Sequence, residues 1–116
     1  MKTIKHIALC FIFTSIACNA TPLYSNSDLI RGYKADISSS TEIDPLVYAN
    51  EFEGYMMGVA AALASMNEIC LPDKEPIGYY ITHNSYHDIK NINPDNNDAY
   101  QNAKIILIKN FPCNKN

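Results

Sequence analysis

Two histidines, His83 and His87, have the spacing in this chain that most resembles a metal site. On a helix, residues four apart share a face, so the two imidazoles could hold a metal ion between them. The residues between them, 84–86, lack the Glu that a metallohydrolase helix carries in its His-Glu-x-x-His motif. Asp88 is adjacent, but the sequence offers no clear third ligand. We therefore predict no metal site, and we interpret both histidines as polar residues on a solvated or partner-facing helix side.

Other catalytic arrangements are also missing from the sequence. No serine stands in a nucleophile-elbow motif, and no glycine-rich segment resembles a phosphate-binding loop. The carboxylates of Glu51 and Glu53 are two residues apart, so on a helix they point to different sides. We predict that the protein is not an enzyme and uses no cofactor.

The first 20 residues have the pattern of a secretory signal peptide. Lys2 and Lys5 precede an apolar run over residues 7–16, and small residues follow it. A run of about ten apolar residues is too short to span a bilayer, which takes about 20. A lipid anchor at Cys18 is disfavoured, because the Leu expected three residues before such a cysteine is absent. We predict export to the periplasm and a single mature domain over residues 21–116, with no membrane span.

Removal of residues 1–20 changes the charge of the molecule. The whole chain has 116 residues and a net charge of −3, and the mature part has 12 acidic against seven basic residues. A net charge near −5 argues against a nucleic-acid-binding protein, which would present a basic face. It is compatible with a basic protein partner.

Two cysteines, Cys70 and Cys113, remain after the signal peptide. An exported chain enters an oxidising compartment, where thiols pair, so we predict one disulfide. Closing a loop of this length contributes about 4 kcal/mol in the chain-entropy description, a large share for a small domain. The alternatives are a metal site or a reactive thiol, but no Cys-x-x-Cys spacing supports metal binding.

Capping signals and apolar periodicity predict four helices. Ser25 or Ser27 starts a short first helix that ends before Asp36. The second is predicted from Asp44-Pro45 to Asn67, the third after Pro76 to Ile89, and the fourth from about Asp95, behind Asn93-Pro94, to Asn110. The predicted fold is an all-α bundle of four, or four to five, helices with one disulfide.

Two helices carry clear inward faces. The second is predicted to bury Leu46, Ala49, Phe52 (or Glu53), Met56, Val59, Leu63 and Met66, and the fourth Ala99, Ala103, Ile106 and Leu107. Gly54 and Gly58 are four residues apart in the second helix, where each glycine costs about 1 kcal/mol. Close packing of another helix, within the chain or across a homodimer, would compensate. The alternative is a tolerated pair of core glycines.

The candidate binding site is the segment between the third and fourth helices. Its residues 89–98 are rich in asparagine and aspartate, and loops on a rigid scaffold often carry binding. Tyr79, Tyr80 and Tyr86 nearby would supply the aromatic anchors that interfaces favour. The predicted partner-binding residues are Tyr86, His87, Lys90, Asn91, Asn93, Asp95 and Asn97. The alternative is an ordinary solvated connection.

Three short motifs in this order resemble one protein family. Gly-Tyr-Met-Met-Gly-Val-Ala at 54–60, Cys-Leu-Pro at 70–72 and Phe-Pro-Cys at 111–113 resemble the Rap/Tai family, over about residues 28–113. These are exported immunity proteins against peptidoglycan amidase toxins of type VI secretion. The resemblance implies a periplasmic all-α fold, often a homodimer, that inhibits its toxin by occluding the active-site cleft. It also implies the Cys70–Cys113 disulfide and a helix-packing role for Gly54 and Gly58.

Residues and resemblance together predict a periplasmic immunity protein that binds and sterically inhibits a peptidoglycan amidase toxin. The alternative is a general periplasmic adaptor or chaperone-like binding protein. The motifs leave open which toxin is bound.

Overall fold

Four α-helices make up the fold. The computed structural model describes residues 23–95 and 98–114, and it contains α1 (Asn26–Ser38), α2 (Ile43–Ser65), α3 (Ile77–Ile89) and α4 (Ala99–Asn110). Within those two ranges there is no β-strand, so the predicted small all-α four-helix bundle is confirmed. The predicted signal peptide lies outside the described residues. Among the helices that are described, none is long and apolar enough to cross a bilayer.

Helix α1 starts with a capping box. The Ser25 hydroxyl accepts a hydrogen bond from the Asp28 backbone N–H, and the Asp28 carboxylate accepts one from the Ser25 N–H. Ser25 is therefore the cap, rather than Ser27. The helix continues to Ser38, past the end predicted before Asp36. The Asp36 carboxylate accepts a hydrogen bond from the Tyr86 hydroxyl on α3, and this tertiary contact lies in the turn that the sequence pattern did not predict.

Helix α2 begins two residues earlier than predicted. Ile43 is its first residue, Glu42 occupies the N-cap position without a side-chain hydrogen bond, and the predicted cap Asp44 lies inside the first turn. Pro45 also lies in that turn, where a missing backbone N–H costs nothing.

The end of α2 is a Schellman motif. The Glu68 N–H donates to the Leu63 carbonyl (2.9 Å) and the Asn67 N–H to that of Ala64 (3.0 Å). Asn67 has a φ of 58°, the left-handed conformation that this motif needs and that asparagine tolerates.

Helix α3 begins directly after Pro76, as predicted, but the predicted start of α4 is wrong. The helix begins at Ala99, where the Asp98 carboxylate accepts a hydrogen bond from the Gln101 N–H (3.2 Å). Asn93-Pro94 belongs to a turn instead, because the Asn93 side-chain oxygen accepts from the Asp95 N–H (3.0 Å). The same cap-and-proline pattern can thus close a turn as well as open a helix.

The core is formed by side chains from all four helices. Its buried members include Leu29 on α1, Phe52, Met56, Val59 and Leu63 on α2, Ile81 and Ile89 on α3, and Ala99, Ala103, Ile106 and Leu107 on α4. The inward face predicted for α4 is confirmed, and so is the middle of the α2 face.

Leu46 and Met66 are corrections to the predicted α2 face, since they are 51% and 53% exposed. Helix α2 has 23 residues, whereas the other three have 12 or 13. At 1.5 Å per residue it is about 15 Å longer than any of the other three helices, and Leu46 lies near its start and Met66 at its C-cap.

Within the chain, the glycine that allows two helices to approach closely is Gly32, not either glycine of the predicted pair. Gly54 and Gly58 are exposed, and a Cβ added to either would meet no atom within 4 Å. Packing of these two glycines within the chain is therefore wrong, and so is the core-pair alternative. At Gly32 an added Cβ would overlap Phe52, so this glycine permits the close approach of α1 to α2. A role for Gly54 and Gly58 in a homodimer stays a prediction.

The predicted disulfide is present. Cys70 and Cys113 are bonded, with their Cα atoms 4.8 Å apart, and the Cys70 N–H donates to the Phe111 carbonyl (3.0 Å). An ion pair between Lys104 and Glu68 (3.3 Å) lies between the same two parts of the chain. The segment after α2 is thereby tied covalently to the segment after α4.

One buried polar side chain, Asn26, holds three elements together. Its amide nitrogen donates to the Asn93 carbonyl in the α3–α4 connection (3.2 Å), and its amide oxygen accepts from Asn102 on α4 (3.0 Å). Asn26 is 0% exposed, and a buried amide is stable only when it is hydrogen-bonded in this way. No local sequence pattern indicates these hydrogen bonds, because they join residues 67 and 76 positions apart in the chain.

Candidate partner-binding surface

The exposed side of α3 carries a continuous series of rings. Tyr79, His83 and Tyr86 are spaced by four and three residues and so lie on one side of the helix. The Tyr79 and His83 rings are stacked with centroids 5.1 Å apart, and those of His83 and Tyr86 are 5.5 Å apart. Tyr80 meets the edge of Tyr79 at 5.7 Å, and Tyr33 on α1 meets Tyr86 at 5.4 Å. We call Tyr33, Tyr79, Tyr80, His83 and Tyr86 the aromatic stripe.

Tyr86 anchors this stripe to α1. It is half-buried, and its hydroxyl donates to the Asp36 carboxylate. Burial, followed by that hydrogen bond, raises the pKa of Tyr86 well above its usual value. The residue therefore remains a neutral hydrogen-bond donor, and its ring is fixed. Tyr79 is the most exposed tyrosine of the stripe, with 52% of its surface accessible.

Asp88 anchors the other side of α3 to α4. Its carboxylate accepts from Lys109 Nζ (2.6 Å) and from the Asn110 amide (2.9 Å). These hydrogen bonds, that from Lys109 first, lower the pKa of Asp88 below its ordinary value. Helix α3 is thus held from both sides, and the aromatic stripe is presented on a rigid element.

The two histidines of the predicted set have different surroundings. The imidazole of His83 contacts the rings of Tyr79 and Tyr86, whereas His87 is exposed. In the part of the chain that the structure describes, no three His, Cys, Asp or Glu residues are grouped so that they could hold a metal ion. Both histidines lie on the accessible side of α3, where their ring nitrogens can meet a partner.

The predicted loop residues follow directly on α3. Lys90 is the C-cap of the helix, and Lys90, Asn91, Asn93 and Asp95 are all exposed. Two of the asparagines nevertheless hold the backbone: the Asn91 amide donates to the His87 carbonyl (2.9 Å), and Asn93 accepts from the Asp95 N–H. Asn97 lies outside the described residues. The side chains of Lys90 and Asp95 are therefore better placed to contact a partner than those of Asn91 and Asn93.

Part of this surface was missing from the predicted set of binding residues. The sequence predicts Tyr79 and Tyr80 only as nearby anchors and His83 only as a polar residue on a solvated or partner-facing side, and it indicates no binding role for Tyr33. The spacing of Tyr79, His83 and Tyr86 was the available signal, since it repeats a helical period. Nothing in the sequence placed Tyr33 beside Tyr86, because that contact joins residues far apart in the chain.

No known protein family, curated protein or solved structure matches the chain. The functional assignment therefore depends on the chemistry of the surface. This surface offers ring faces, a fixed phenol, imidazole nitrogens and one lysine, which are groups suited to noncovalent binding.

Proposed function

We propose that this chain is a periplasmic immunity protein that binds a peptidoglycan amidase toxin delivered by type VI secretion and inhibits it by covering its active-site cleft. The observation that carries the proposal is the aromatic stripe on α3. Inhibition of this kind needs no chemistry from the inhibitor, only a surface that fits the enzyme and excludes its substrate.

The aromatic stripe has the properties of a binding anchor. Tyrosine provides a large contact area and loses little conformational freedom on binding, and interfaces are enriched in it. The contacts of Tyr86 with Asp36 and of Asp88 with Lys109 fix α3 before any partner arrives. A surface that is already rigid loses less entropy on association, so more of the contact energy contributes to affinity.

Charge supports a basic partner. From Thr21 onward the chain has 12 acidic and seven basic residues, so its field attracts a positively charged enzyme and accelerates encounter. The disulfide supports an oxidising compartment, since such bonds persist in exported proteins.

The outward face of α2 supports the homodimer that we include in this proposal. Five exposed residues with apolar or small side chains recur at helical spacing along one side of α2: Ile43, Val47, Gly54, Gly58 and Ala61. Asn50 is a polar residue on the same side, and the small residues Gly54, Gly58 and Ala61 beyond it would allow the backbone of a second α2 to approach closely. Association would then compensate for the two glycines, which gain nothing from contacts within the chain.

The test is inhibition of purified amidases, beginning with any encoded beside this gene, on isolated peptidoglycan. The wild-type protein is expected to bind one amidase stoichiometrically and stop hydrolysis. Tyr79→Ala is expected to weaken binding by about 30-fold or more, the loss typical of an interface hot spot. Ile105→Ala is the control, because Ile105 is 62% exposed on α4 and belongs neither to the aromatic stripe nor to the binding residues predicted from the sequence.

Two results would contradict the proposal. Equal loss of binding in the Tyr79 and Ile105 variants would remove the aromatic stripe from the interface. Capture of many weak clients and no amidase from an envelope extract would favour the adaptor function instead.

The homodimer has its own test. Light scattering at micromolar concentration is expected to give twice the chain mass for the wild type, and Gly58→Leu is expected to return the monomer mass by blocking the α2 face. A monomer mass for the wild type would refute the dimer and leave the inhibition proposal intact.

A further inference from the structure

A second feature, away from the aromatic stripe, is a cleft between the start of α1, the middle of α2 and the start of α4. Its volume is about 710 Å³, within the range of small-molecule sites. Three tyrosines, Tyr24, Tyr55 and Tyr100, and three carboxylates, Asp28, Glu51 and Asp98, line it. We call it the tyrosine–carboxylate cleft.

The aromatic wall of this cleft is ordered. The rings of Tyr24 and Tyr55 are stacked with centroids 4.3 Å apart and an interplanar angle of 20°, and the Tyr24 hydroxyl donates to the Asp28 carbonyl (3.3 Å). Burial, with Asp28 and Glu51 adding to it, raises the pKa of Tyr24. Burial, with Asp98 adding to it, raises the pKa of Tyr55. Both rings are therefore neutral over the physiological pH range and present π faces rather than phenolates.

The charge of the lining is negative. Among the described residues that line the cleft, Arg31 is the one cation, against three carboxylates. Its guanidinium is already engaged, because it lies 2.5 Å from the Asp28 carboxylate and 4.2 Å from the centre of the Tyr48 ring. The exposed Glu51 is a carboxylate of the cleft that is open to a ligand, whereas Asp28 pairs with Arg31 and Asp98 accepts a hydrogen bond from the Gln101 N–H.

We infer that the tyrosine–carboxylate cleft binds an organic cation, an ammonium group carried on an aliphatic chain. Aromatic faces attract such cations through the ring quadrupole, and carboxylates beside the rings add Coulombic attraction. An anion would be repelled, and a purely apolar ligand would desolvate the carboxylates without replacing their hydration. The chemistry can come from a free polyamine or from a lysine side chain of a protein. This site shares no residue with the aromatic stripe, so it goes beyond the proposed inhibition.

The experiment is calorimetric titration of the full protein, produced by periplasmic export, with spermidine at low salt. We expect saturable binding at one site that weakens as salt rises. Glu51→Gln and Tyr100→Leu are each expected to weaken it by about three- to tenfold, since each removes a charge or a ring from the cleft. Glu42→Gln and Tyr79→Leu are the matched controls: they change an exposed residue of the same type outside the cleft, and each is expected to bind as the wild type does.

A second arm distinguishes the source of the cation. A short lysine peptide with blocked ends is titrated in parallel. Tighter binding of the peptide assigns the cleft to a protein side chain, and tighter binding of spermidine assigns it to a free polyamine, and both outcomes support the inference. The inference would be overturned if neither probe bound saturably up to about 10 mM. A Kd above that concentration corresponds to less than about 3 kcal/mol of binding energy. Equal weakening in the control variants would also overturn it, by showing a general charge effect.

Discussion

Gly32→Ala is the substitution whose effect follows most directly from the structure. Gly32 is buried in α1, where an added Cβ would overlap Phe52 Cβ and lie 3.0 Å from Phe52 Cγ and 3.1 Å from the Tyr24 hydroxyl. Carbon atoms in contact are normally about 3.5 to 4 Å apart. Because Phe52 Cβ is bonded directly to the α2 backbone, no side-chain rotation can move it away. The two helices must separate, or the methyl group cannot be accommodated.

The expected magnitude is the difference of two opposing effects. Alanine in place of a mid-helix glycine gains about 1 kcal/mol in helix propensity. Overpacking a closed core costs about 1 to 3 kcal/mol, and more when the backbone has to shift. Since Phe52 is 0% exposed and no solvent-facing space is open to it, we expect the cost to exceed the gain. The free energy of unfolding should fall by about 1 to 2 kcal/mol.

Gly78→Ala is the matched control for this prediction. Its added Cβ would meet the carboxylate of Glu53 and, at 2.8 Å, the sulfur of Met57, which are the far ends of flexible side chains. These can rotate aside, so the propensity gain is not lost, and stability should stay within about 1 kcal/mol of the wild type or rise. Urea unfolding followed by circular dichroism, with the disulfide intact, measures both variants. A Gly32→Ala protein at least as stable as the Gly78→Ala protein would refute the argued closeness of α1 and α2.

Three further predictions concern stability. Reduction of Cys70–Cys113 should remove about 4 kcal/mol and lower the Tm by about 15 to 30 °C in calorimetry; an unchanged Tm would show that the bond is not formed in solution. Asn26→Ala should cost about 1 to 3 kcal/mol, because it leaves the Asn93 carbonyl and the Asn102 amide without their partner, whereas the exposed neighbour Ser27→Ala should cost less than about 0.5 kcal/mol. The folded-state pKa of Asp88 lies below the ordinary value of 3.8, so its ionised carboxylate stabilises the fold at pH values above 3.8. This contribution is lost as the pH falls through the folded-state pKa. The stability of Asp88→Asn should therefore change less than that of the wild type between pH 5 and strong acid, and parallel pH curves would contradict this.

Helix content was predictable from the sequence, whereas helix ends were predictable only in part. Apolar residues at helical spacing and capping serines are local signals, and they predict four helices but leave Ser25 and Ser27 as alternative caps for the first. The start of α4 was misplaced because Asn93-Pro94 satisfies the same pattern as a helix start. In the structure the Asn93 side chain closes a turn by accepting from the Asp95 N–H, and the buried Asn26 donates to the Asn93 carbonyl; no local pattern reveals the second of these contacts.

The glycines show the same limit in packing. The four-residue spacing of Gly54 and Gly58 predicts close helix approach, because two small residues at this spacing lie on one helix side. The glycines that contact another helix, Gly32 and Gly78, are isolated in sequence, and each faces a residue on α2. Whether an isolated glycine is required depends on the helix packed against it. The sequence alone therefore could not distinguish a required glycine from one that another residue could replace.

The sequence pattern placed most of the candidate site in the α3–α4 connection, whereas the structure places its aromatic groups mainly on α3, for a related reason. Composition indicated the asparagine-rich connection, and asparagine is as often a turn-forming residue as a binding one. In the structure Asn91 and Asn93 hydrogen-bond to the backbone of their own segment, so the groups that would have met a partner already have one. Substitution of these asparagines should therefore lower binding and stability together, since the loop loses its shape.

Tyr79 distinguishes a contact residue from a positioning residue. It is 52% exposed, and the contacts that hold α3 in place are made by Tyr86 and Asp88 instead. Tyr79→Ala should lower affinity with little change in the urea midpoint, whereas Asn93→Ala should change both. A variant of Tyr79 that lost affinity only in proportion to its stability would show that the aromatic stripe supports the fold rather than the partner.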